Sequence, residues 1–263
     1  MVGDAAIDNA PARGRLGRLA QGATAGRTDM TRLVVRPHGE PVPFSVAVPV
    51  SEDVMPEAIA LAVDTMAAVR RTFGSAVEHV RTLSFDHSDH GMVRGRVAGM
   101  ARPIAWIVHL NASLALADEW LAVLRSRAAT PSKLPPSDVP SPFTRIDGVT
   151  AHELWHQMEL TWEARDYRST VQFRRELGGY FGFDTIEHVV DGKRRGAPPT
   201  AADACRRLAW EVSPYATTNR LEATAEMFKA WWCNVGPPSP VVAHFGTLIE
   251  RYFGVSGPPP VTL

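Results

Sequence analysis

The order of the hydrophobic patterns along this chain is the feature that most constrains its fold. Short β-branched runs bounded by Pro or Gly predict strands early in the sequence, at 32–39, 42–50, 78–85, 92–101 and 104–110. Apolar residues at helical spacing predict helices later, at 148–164, 170–190, 200–212, 219–233 and 240–253. Strands and helices that are segregated in this way favour an α+β fold, because an α/β fold needs the two to alternate.

One amphipathic helix is expected among the early strands. Four apolar residues recur at helical spacing between Pro56 and Phe73, and Gly74 follows them. Proline suits the first turn of a helix and glycine the position just past its end, so this pattern predicts a helix over 56–73. A further helix is expected at 111–124, before a connection at 130–142 that is rich in Pro and Ser.

Composition divides the chain into a leader, one domain and a short tail. Residues 1–30 are rich in Gly, Ala and Arg and lack the continuous apolar stretch of a signal peptide, so we expect a disordered leader. Residues 31–255 are expected to form one domain, with an N-terminal mixed sheet and helix in 31–147 and a mostly helical half in 148–255. A ligand cleft is expected between these halves, and residues 256–263 are expected to form a flexible tail.

Composition also argues against two classes of partner. The chain has 28 Lys and Arg against 28 Asp and Glu, whereas nucleic-acid binding needs a basic excess on one face. No window approaches the roughly twenty apolar residues that cross a bilayer, so no membrane span is expected. The expected location is cytoplasmic, or outside the cell by a route without a cleavable signal peptide, and the oligomeric state stays open.

Cysteine and tryptophan are expected to have structural roles. Cys205 and Cys233 lack the CxxC spacing of a thiolate metal site and are too few for a disulfide framework. Free, partly buried thiols are therefore expected, with a single bridge between them as the alternative. Five tryptophans are interpreted as core residues around the helices: Trp155, Trp162, Trp210, Trp231 and Trp232.

The segment 151-AHELWHQMEL-160 has a pattern typical of a metal site. Residues four apart share one face of an α-helix, so His152 and His156 would point the same way and could bind one zinc ion. Glu153 would lie beside that face, where it can take a proton from a water at the metal without binding the metal itself. The alternative is a buried helix whose histidines are satisfied by hydrogen bonds.

Two histidines are one ligand short of a catalytic zinc site, which has three protein ligands and a water. The third histidine of HExxHxxGxxH is missing, since 157–165 contains neither His nor Gly. Glu222 and Glu226 are the candidates, because two carboxylates on one face of a packed helix need an opposing cation. Glu222 could bind the metal, and Glu226 could accept a hydrogen bond from a ligating histidine. The alternative is an exposed helical face with two ordinary acids.

The two blocks together resemble a known family. HELWH, followed by 215-YATTNRLEATAEMF-228, resembles the zinc peptidase domains of the anthrax lethal factor family, which belongs to the gluzincins. In that family a Tyr-x-x-Thr-Asn-x-x-Glu-x-x-x-Glu arrangement follows HExxH, and here Tyr215 likewise stands seven residues before Glu222. The likeness covers roughly residues 85–235 and departs at Ala223 and Thr224, where the family has phenylalanines.

The resemblance implies a zincin-like fold and a zinc metalloendopeptidase (a hydrolase) with one zinc ion per chain. His152, His156 and Glu222 would be the ligands and Glu153 the general base, while Glu226 would orient a ligating histidine. Tyr215 would donate a hydrogen bond to the oxyanion of the transition state. Peptide or protein substrates are expected, and a strand near 94–101 would form the sheet edge that pairs with them.

Two other functions are open at this point. One is a catalytically inactive, zincin-like binding module, and the other is a zinc hydrolase that acts on a bond other than a peptide bond. Glu153 favours an enzyme, because a closed structural zinc site has no use for a carboxylate beside its first histidine.

Two further sets of polar residues could also have a functional role. The loop 85–91, with His87, Asp89 and His90, is interpreted as a surface turn, because no further block of ligands accompanies it. Glu159 follows His156 by three residues, and it is expected either to contact the metal-site residues or to be an ordinary exposed acid.

Overall fold

A computed structural model of the chain describes residues 6–8, 29–37, 40, 42–50, 54–86, 99–102, 107–111, 146–233 and 237–257. These residues form an α+β fold, as the order of the sequence patterns predicts. A mixed sheet comes first along the chain, and the second half is mostly helical. The loop residues His87, Asp89 and His90 and nearly all of the helix predicted at 111–124 lie outside the described residues.

Seven helices are present in the described residues. Helices α1 to α7 span, in order, Pro56–Phe73, Ile146–Arg165, Tyr167–Gly179, Ile186–Asp191, Pro199–Glu211, Arg220–Cys233 and Pro240–Phe253. Helix α1 ends at Gly74, where φ is 52°, as the sequence predicts. Its four apolar residues at helical spacing are all buried: Ile59, Val63, Met66 and Val69.

Six strands form one mixed sheet in the order β1-β2-β3-β4-β6-β5. Strands β1 to β6 span, in order, Ala6–Asp8, Met30–Arg36, Phe44–Pro49, Thr82–Asp86, Gly99–Arg102 and Ile107–Asn111. Strand β4 is parallel to both β3 and β6, whereas β1–β2, β2–β3 and β5–β6 are antiparallel pairs. Helix α1 supplies the crossover that the parallel pair β3–β4 requires.

Strand β5 is the edge of the sheet that lies against helix α2. Among the described strands it pairs only with β6, and Met100 stands opposite His109 in that pairing. Helix α2 packs against both strands. The sheet edge predicted near 94–101 therefore agrees with the structure from Gly99 onward, and its earlier residues lie outside the described part of the chain.

The single helix predicted over 170–190 is wrong, because the chain forms two helices there, α3 and α4. Gly178 approaches the backbone of Thr185 so closely that a Cβ atom at this position would collide with it. Gly182, in the connection, has a φ of 80°, which side chains with a Cβ rarely adopt. These glycines let the chain fold back on itself between the two helices.

Helix α2 is buried on most sides, and helix α6 packs along it. Trp155 of α2 stacks on Phe228 of α6, with ring centroids 4.9 Å apart. Phe73 of α1 lies 5.7 Å from the same Phe228 ring. Buried aromatic pairs of this kind contribute about 0.5–1.5 kcal/mol beyond their buried area. The packing fixes the helix of HELWH against the helix of Glu222.

The interpretation of all five tryptophans as core residues is wrong for Trp210, which is 56% exposed. The buried stripe of α5 follows helical spacing from Ala201 through Ala204 and Cys205 to Leu208, and Trp210 lies off that stripe. The other four pack into or against the core: Trp155, Trp162, Trp231 and Trp232. Cys205 and Cys233 are buried thiols and form no disulfide, as expected.

Part of the predicted leader is described. Residues Ala6–Asp8 form strand β1, paired with Val34–Arg36, and strand β2 already begins at Met30. These residues are therefore strand rather than the irregular chain we expected there. None of the helices in the described part of the chain combines the length and the apolar composition that a membrane crossing requires.

Candidate metal centre

Helix α2 places two imidazole rings on one face, one turn apart. The Nε2 atoms of His152 and His156 lie 3.1 Å apart, and the rings meet edge to face with centroids separated by 4.7 Å. A ring nitrogen binds a metal ion through its lone pair, which it offers once it is deprotonated. The two nitrogens therefore face a common position, as the four-residue spacing predicts.

Glu222 reaches the same position from the first turn of helix α6. The side-chain oxygen of Asn219 accepts a hydrogen bond of 3.1 Å from the backbone N–H of Glu222, which caps the start of this helix. Oε2 of Glu222 lies 2.9 Å from Nε2 of His152 and 3.5 Å from Nε2 of His156. We call His152, His156 and Glu222 the metal cluster.

The metal cluster fits the dimensions of a bound metal ion. Its three donor atoms lie within 4.8 Å of one another, and within the described residues this is the group of His, Cys, Asp and Glu side chains that could hold an ion. Donor atoms about 2.0–2.1 Å from a tetrahedral zinc ion would be about 3.3 Å apart. The observed separations of 2.9, 3.1 and 3.5 Å bracket that value.

The charges of the metal cluster are strongly coupled when no ion is bound. Burial by itself would lower the pKa of His152, but its contacts with Glu222 and Glu226 outweigh burial and raise the pKa to about 9. Burial by itself would raise the pKa of Glu222, but its hydrogen bonds with His152 and His156 lower it to about 2. The protein thus holds a proton where a metal ion would otherwise supply the positive charge.

Glu226 lies one turn after Glu222 and contacts the other nitrogen of the same histidine. Its Oε1 is 2.9 Å from Nδ1 of His152, an ion-pair distance, although the contact is not aligned well enough to count as a hydrogen bond. Burial by itself would raise the pKa of Glu226, but its close polar contact with His152 and the charge and hydrogen bond of Lys229 lower it to about 2. The carboxylate is therefore ionised and lies where it can orient the imidazole ring.

Glu153 is buried beside the metal cluster on helix α2, with only 4% of its surface exposed. Burial raises the pKa of its carboxyl group, and the positive charges of His152 and His156 oppose that rise. A carboxylate whose pKa is raised toward neutrality is a better proton acceptor than an ordinary exposed glutamate. The environment of Glu153 therefore suits a general base.

Tyr215 approaches the metal cluster from a 3-10 turn, Pro214–Thr217, which connects helices α5 and α6. Its ring centroid lies 6.1 Å from that of His152, and the side chain is 53% exposed. Burial of the other half, together with the negative charges of Glu222 and Glu153, raises the pKa of the phenol to about 12. The hydroxyl therefore stays protonated and can act as a hydrogen-bond donor.

Glu159 belongs to a separate group of buried charges, which corrects both expectations for this residue. It is fully buried, and its oxygens accept hydrogen bonds from Trp155 (3.1 Å) and Thr224 (2.5 Å). Arg220 also donates to it at 2.9 Å, and Arg174 at 3.4 Å. Glu163 binds the same two arginines. We call these four charged residues the Glu159 cluster: Glu159, Glu163, Arg174 and Arg220.

Three residues around the site were missed by sequence reasoning. Ser213 donates a hydrogen bond of 2.8 Å to Glu226, and Lys229 donates another of 2.8 Å. Arg220 joins the first turn of α6 to helix α2 through Glu159. Two sequence features could have pointed to these residues. Ser213 stands before Pro214, which is typical of a capped turn, and Lys229 stands three residues after Glu226, a spacing that allows contact on one helix face.

Comparison with known proteins does not assign the chain to a family. No protein-family model matches the sequence, and neither a curated protein nor a solved structure matches it. The metal cluster and its surroundings must therefore be interpreted from their own geometry and chemistry.

Proposed function

We propose that the protein is a zinc-dependent metallopeptidase of zincin-like fold, in which His152, His156 and Glu222 hold one zinc ion. The observation that carries the proposal is the agreement between the donor separations in the metal cluster and those of tetrahedral zinc. Two imidazoles and one carboxylate form a known ligand set of catalytic zinc sites in peptidases, and they leave one position for water or substrate.

Glu153 is the proposed general base. A zinc ion in this site supplies Lewis acidity, which activates a water and polarises a substrate carbonyl group. Glu153 accepts the proton of the attacking water and passes it to the leaving amine, and its raised pKa suits both transfers. Its burial on the same helix as His152 and His156 keeps it close to the ligands without replacing one of them.

Tyr215 is the proposed donor to the oxyanion. Its phenol stays protonated because its pKa is about 12, and its ring lies beside that of His152 in a residue that is about half exposed. A fixed donor at the place where negative charge develops lowers the barrier, typically by about 3–4 kcal/mol for a single donor of this kind.

Peptides are the proposed substrates because a sheet edge lies beside the catalytic helix. Among the described strands, β5 pairs only with β6 and so has a free edge on its other side, and helix α2 packs against it. An extended peptide can pair with such an edge by main-chain hydrogen bonds, which positions it along helix α2. The zincin-like fold is proposed on this arrangement of sheet edge, HELWH helix and glutamate helix.

The first test is the metal content of the purified protein. Wild type is expected to contain about one zinc ion per chain, since one complete ligand set is present. His156→Ala is expected to lose most of the metal, and Glu163→Gln, which changes an acid of the Glu159 cluster, is the matched control that retains it. Full retention of zinc by His156→Ala would exclude the metal cluster as the binding site.

The second test separates an enzyme from an inactive binding module. A randomised peptide library, read by mass spectrometry, is expected to show cleavage by wild type. Glu153→Gln is expected to keep its zinc and to lose at least about a hundredfold in rate, because a general base contributes roughly that much. Zinc binding without cleavage of any library member would favour the binding module or a hydrolase of another bond.

A further inference from the structure

We propose that Ser213 is a positioning residue that ties the turn of Tyr215 to the carboxylate beside His152. The inference rests on the proposed function and extends it, because it assigns a role to a serine outside the HELWH and Tyr-to-Glu patterns. Its basis is a continuous chain of contacts that runs from the 3-10 turn through Ser213 and Glu226 to the metal cluster.

The hydroxyl of Ser213 makes two contacts at once. It donates a hydrogen bond of 2.8 Å to Oε2 of Glu226 and accepts one of 3.1 Å from the backbone N–H of Ala216. A hydroxyl group has one proton to donate and can also accept, so both contacts are compatible. Since Ala216 directly follows Tyr215, the second contact fixes the turn that carries the tyrosine, and Ser213 itself is buried.

Glu226 is a firm anchor for this contact. It is buried, and its other oxygen lies 2.8 Å from Nζ of Lys229 and 2.9 Å from Nδ1 of His152. Hydrogen bonds to an ionised carboxylate are roughly twice as strong as those between neutral groups. One carboxylate thus contacts the turn of Tyr215 on one side and a ligand of the metal cluster on the other.

The link through Ser213 adds to other contacts of the Tyr215 turn, since Ala216 is buried in the core and its N–H also bonds the backbone oxygen of Ser213. The 3-10 turn has only four residues, and turns of this kind have poor hydrogen-bond geometry of their own. At the far end, Lys193 donates to the backbone oxygen of Thr218, but this lysine is exposed and its contact is open to water. The link through Ser213 is buried, and it joins the turn of Tyr215 to Glu226 and so to His152.

Four variants test this role: Ser213→Ala, Ser213→Thr, Tyr215→Phe and the double variant Ser213→Ala/Tyr215→Phe. Lys193→Ala is the matched control, because it removes the contact at the other end of the same turn. The readouts are zinc affinity by chelator competition, cleavage of one peptide found in the library, and amide hydrogen exchange of Ala216 in the metal-free protein.

Ser213→Ala is expected to keep its zinc and to lose roughly ten- to a hundredfold in rate, the size of loss that a small misplacement of a catalytic group causes. In the Tyr215→Phe background the same change should have no further effect, since the group that Ser213 positions is already gone. Ser213→Thr, which keeps the hydroxyl, should restore the rate. Lys193→Ala should leave the rate and the zinc affinity close to wild type.

Equal losses from Ser213→Ala in both backgrounds would overturn the proposal, and so would a loss of zinc in the single variant. Absence of any hydrolysis by wild type would instead contradict the proposed function. In that case the amide hydrogen exchange of Ala216 still tests the link through Ser213, because it does not depend on catalysis. Faster exchange in Ser213→Ala than in Ser213→Thr and Lys193→Ala supports the link, and equal rates in all three contradict it.

Discussion

Helix α2 carries two groups of buried charge on one face, and they balance their charge in different ways. His152 and His156 are followed on that face by Glu159 and Glu163, at the spacing of successive helical turns. In the Glu159 cluster, carboxylates meet two arginines of the chain itself. In the metal cluster, the partners of Glu222 among the described residues are the two histidines, with no Lys or Arg beside them.

The difference separates a structural cluster from a candidate binding site. Both oxygens of Glu159 accept hydrogen bonds and the residue is fully buried, so this carboxylate has no place for a further ion. The donors of the metal cluster converge on one point and reach solvent beside Tyr215. Two buried or partly buried glutamates thus differ in their partners. The protein supplies cations for Glu159, whereas at Glu222 it leaves a place where a metal ion could bind.

The largest expected effect comes from breaking the closed cluster. Glu159→Gln removes the charge that opposes two buried arginines, and breaking a buried ion pair on one side costs about 3–5 kcal/mol. The free energy of unfolding in urea, measured on metal-free protein, should fall by that amount. Glu163→Gln, at the more exposed rim of the same cluster, should lose clearly less. A loss below about 1 kcal/mol for Glu159→Gln would contradict the described network.

The next effect distinguishes the two glutamates of helix α6. Glu226→Gln should weaken zinc about ten- to a hundredfold, the usual effect of changing a group that orients a ligand. Glu222→Gln should weaken zinc far more, because it removes a ligand. Competition with a fluorescent chelator measures both affinities. The opposite ranking would make Glu226 the ligand and would separate Tyr215 from the metal.

The pH should affect how tightly the metal cluster binds zinc. Zinc needs a neutral imidazole, while the pKa of His152 is about 9 in the metal-free protein, so binding at pH 7 should release about one proton. Zinc affinity should rise by up to about tenfold per pH unit toward pH 9 and then level off. Calorimetry in buffers of different ionisation enthalpy counts the protons, and a count of zero would contradict the raised pKa.

The same pKa predicts how the stability of the metal-free protein depends on pH. The pKa of His152 is raised from 6.5 to about 9 on folding, so this histidine stabilises the fold fully below pH 6.5. That contribution is lost as the pH rises through about 9. Urea unfolding from pH 6 to 10 should show the decline in wild type, and His152→Gln should lack it.

The smallest expected change in the free energy of unfolding is at Gln157, which lies on helix α2 away from the face of His152 and His156. Nε2 of Gln157 is buried and has no hydrogen-bond partner among the described residues. Replacing an unsatisfied buried amide by an apolar side chain of similar shape is nearly neutral or stabilising, so Gln157→Met should change the free energy of unfolding by less than about 1 kcal/mol. Urea unfolding checks this. A larger loss would show that the amide has a partner in solution.

Local patterns predicted most of the helices and the residues of the metal cluster. The spacing of His152 and His156 and that of Glu222 and Glu226 each lie within one helix, so a sequence can show them directly. Pro56 and Gly74 marked the ends of α1 for the same reason. Features of this kind depend only on the geometry of a single element.

Long-range contacts could not be predicted in the same way. The arginines that bury Glu159 come from helices α3 and α6, and no local pattern shows which acid they will meet. The close approach of Gly178 to Thr185, which divides the predicted helix, also depends on how the chain folds back. Ser213 was missed because its partner, Glu226, lies on the next helix.

The separation of the ligands in sequence has a consequence for how the protein is made. His152 and Glu222 are 70 residues apart. A ribosome that adds roughly 5–20 residues per second needs several seconds to cover that distance. During this time the new chain has two histidines but not the third residue of the metal cluster. If the proposed zinc site is correct, zinc can bind tightly only late in synthesis, after α6 has been made and docked on α2.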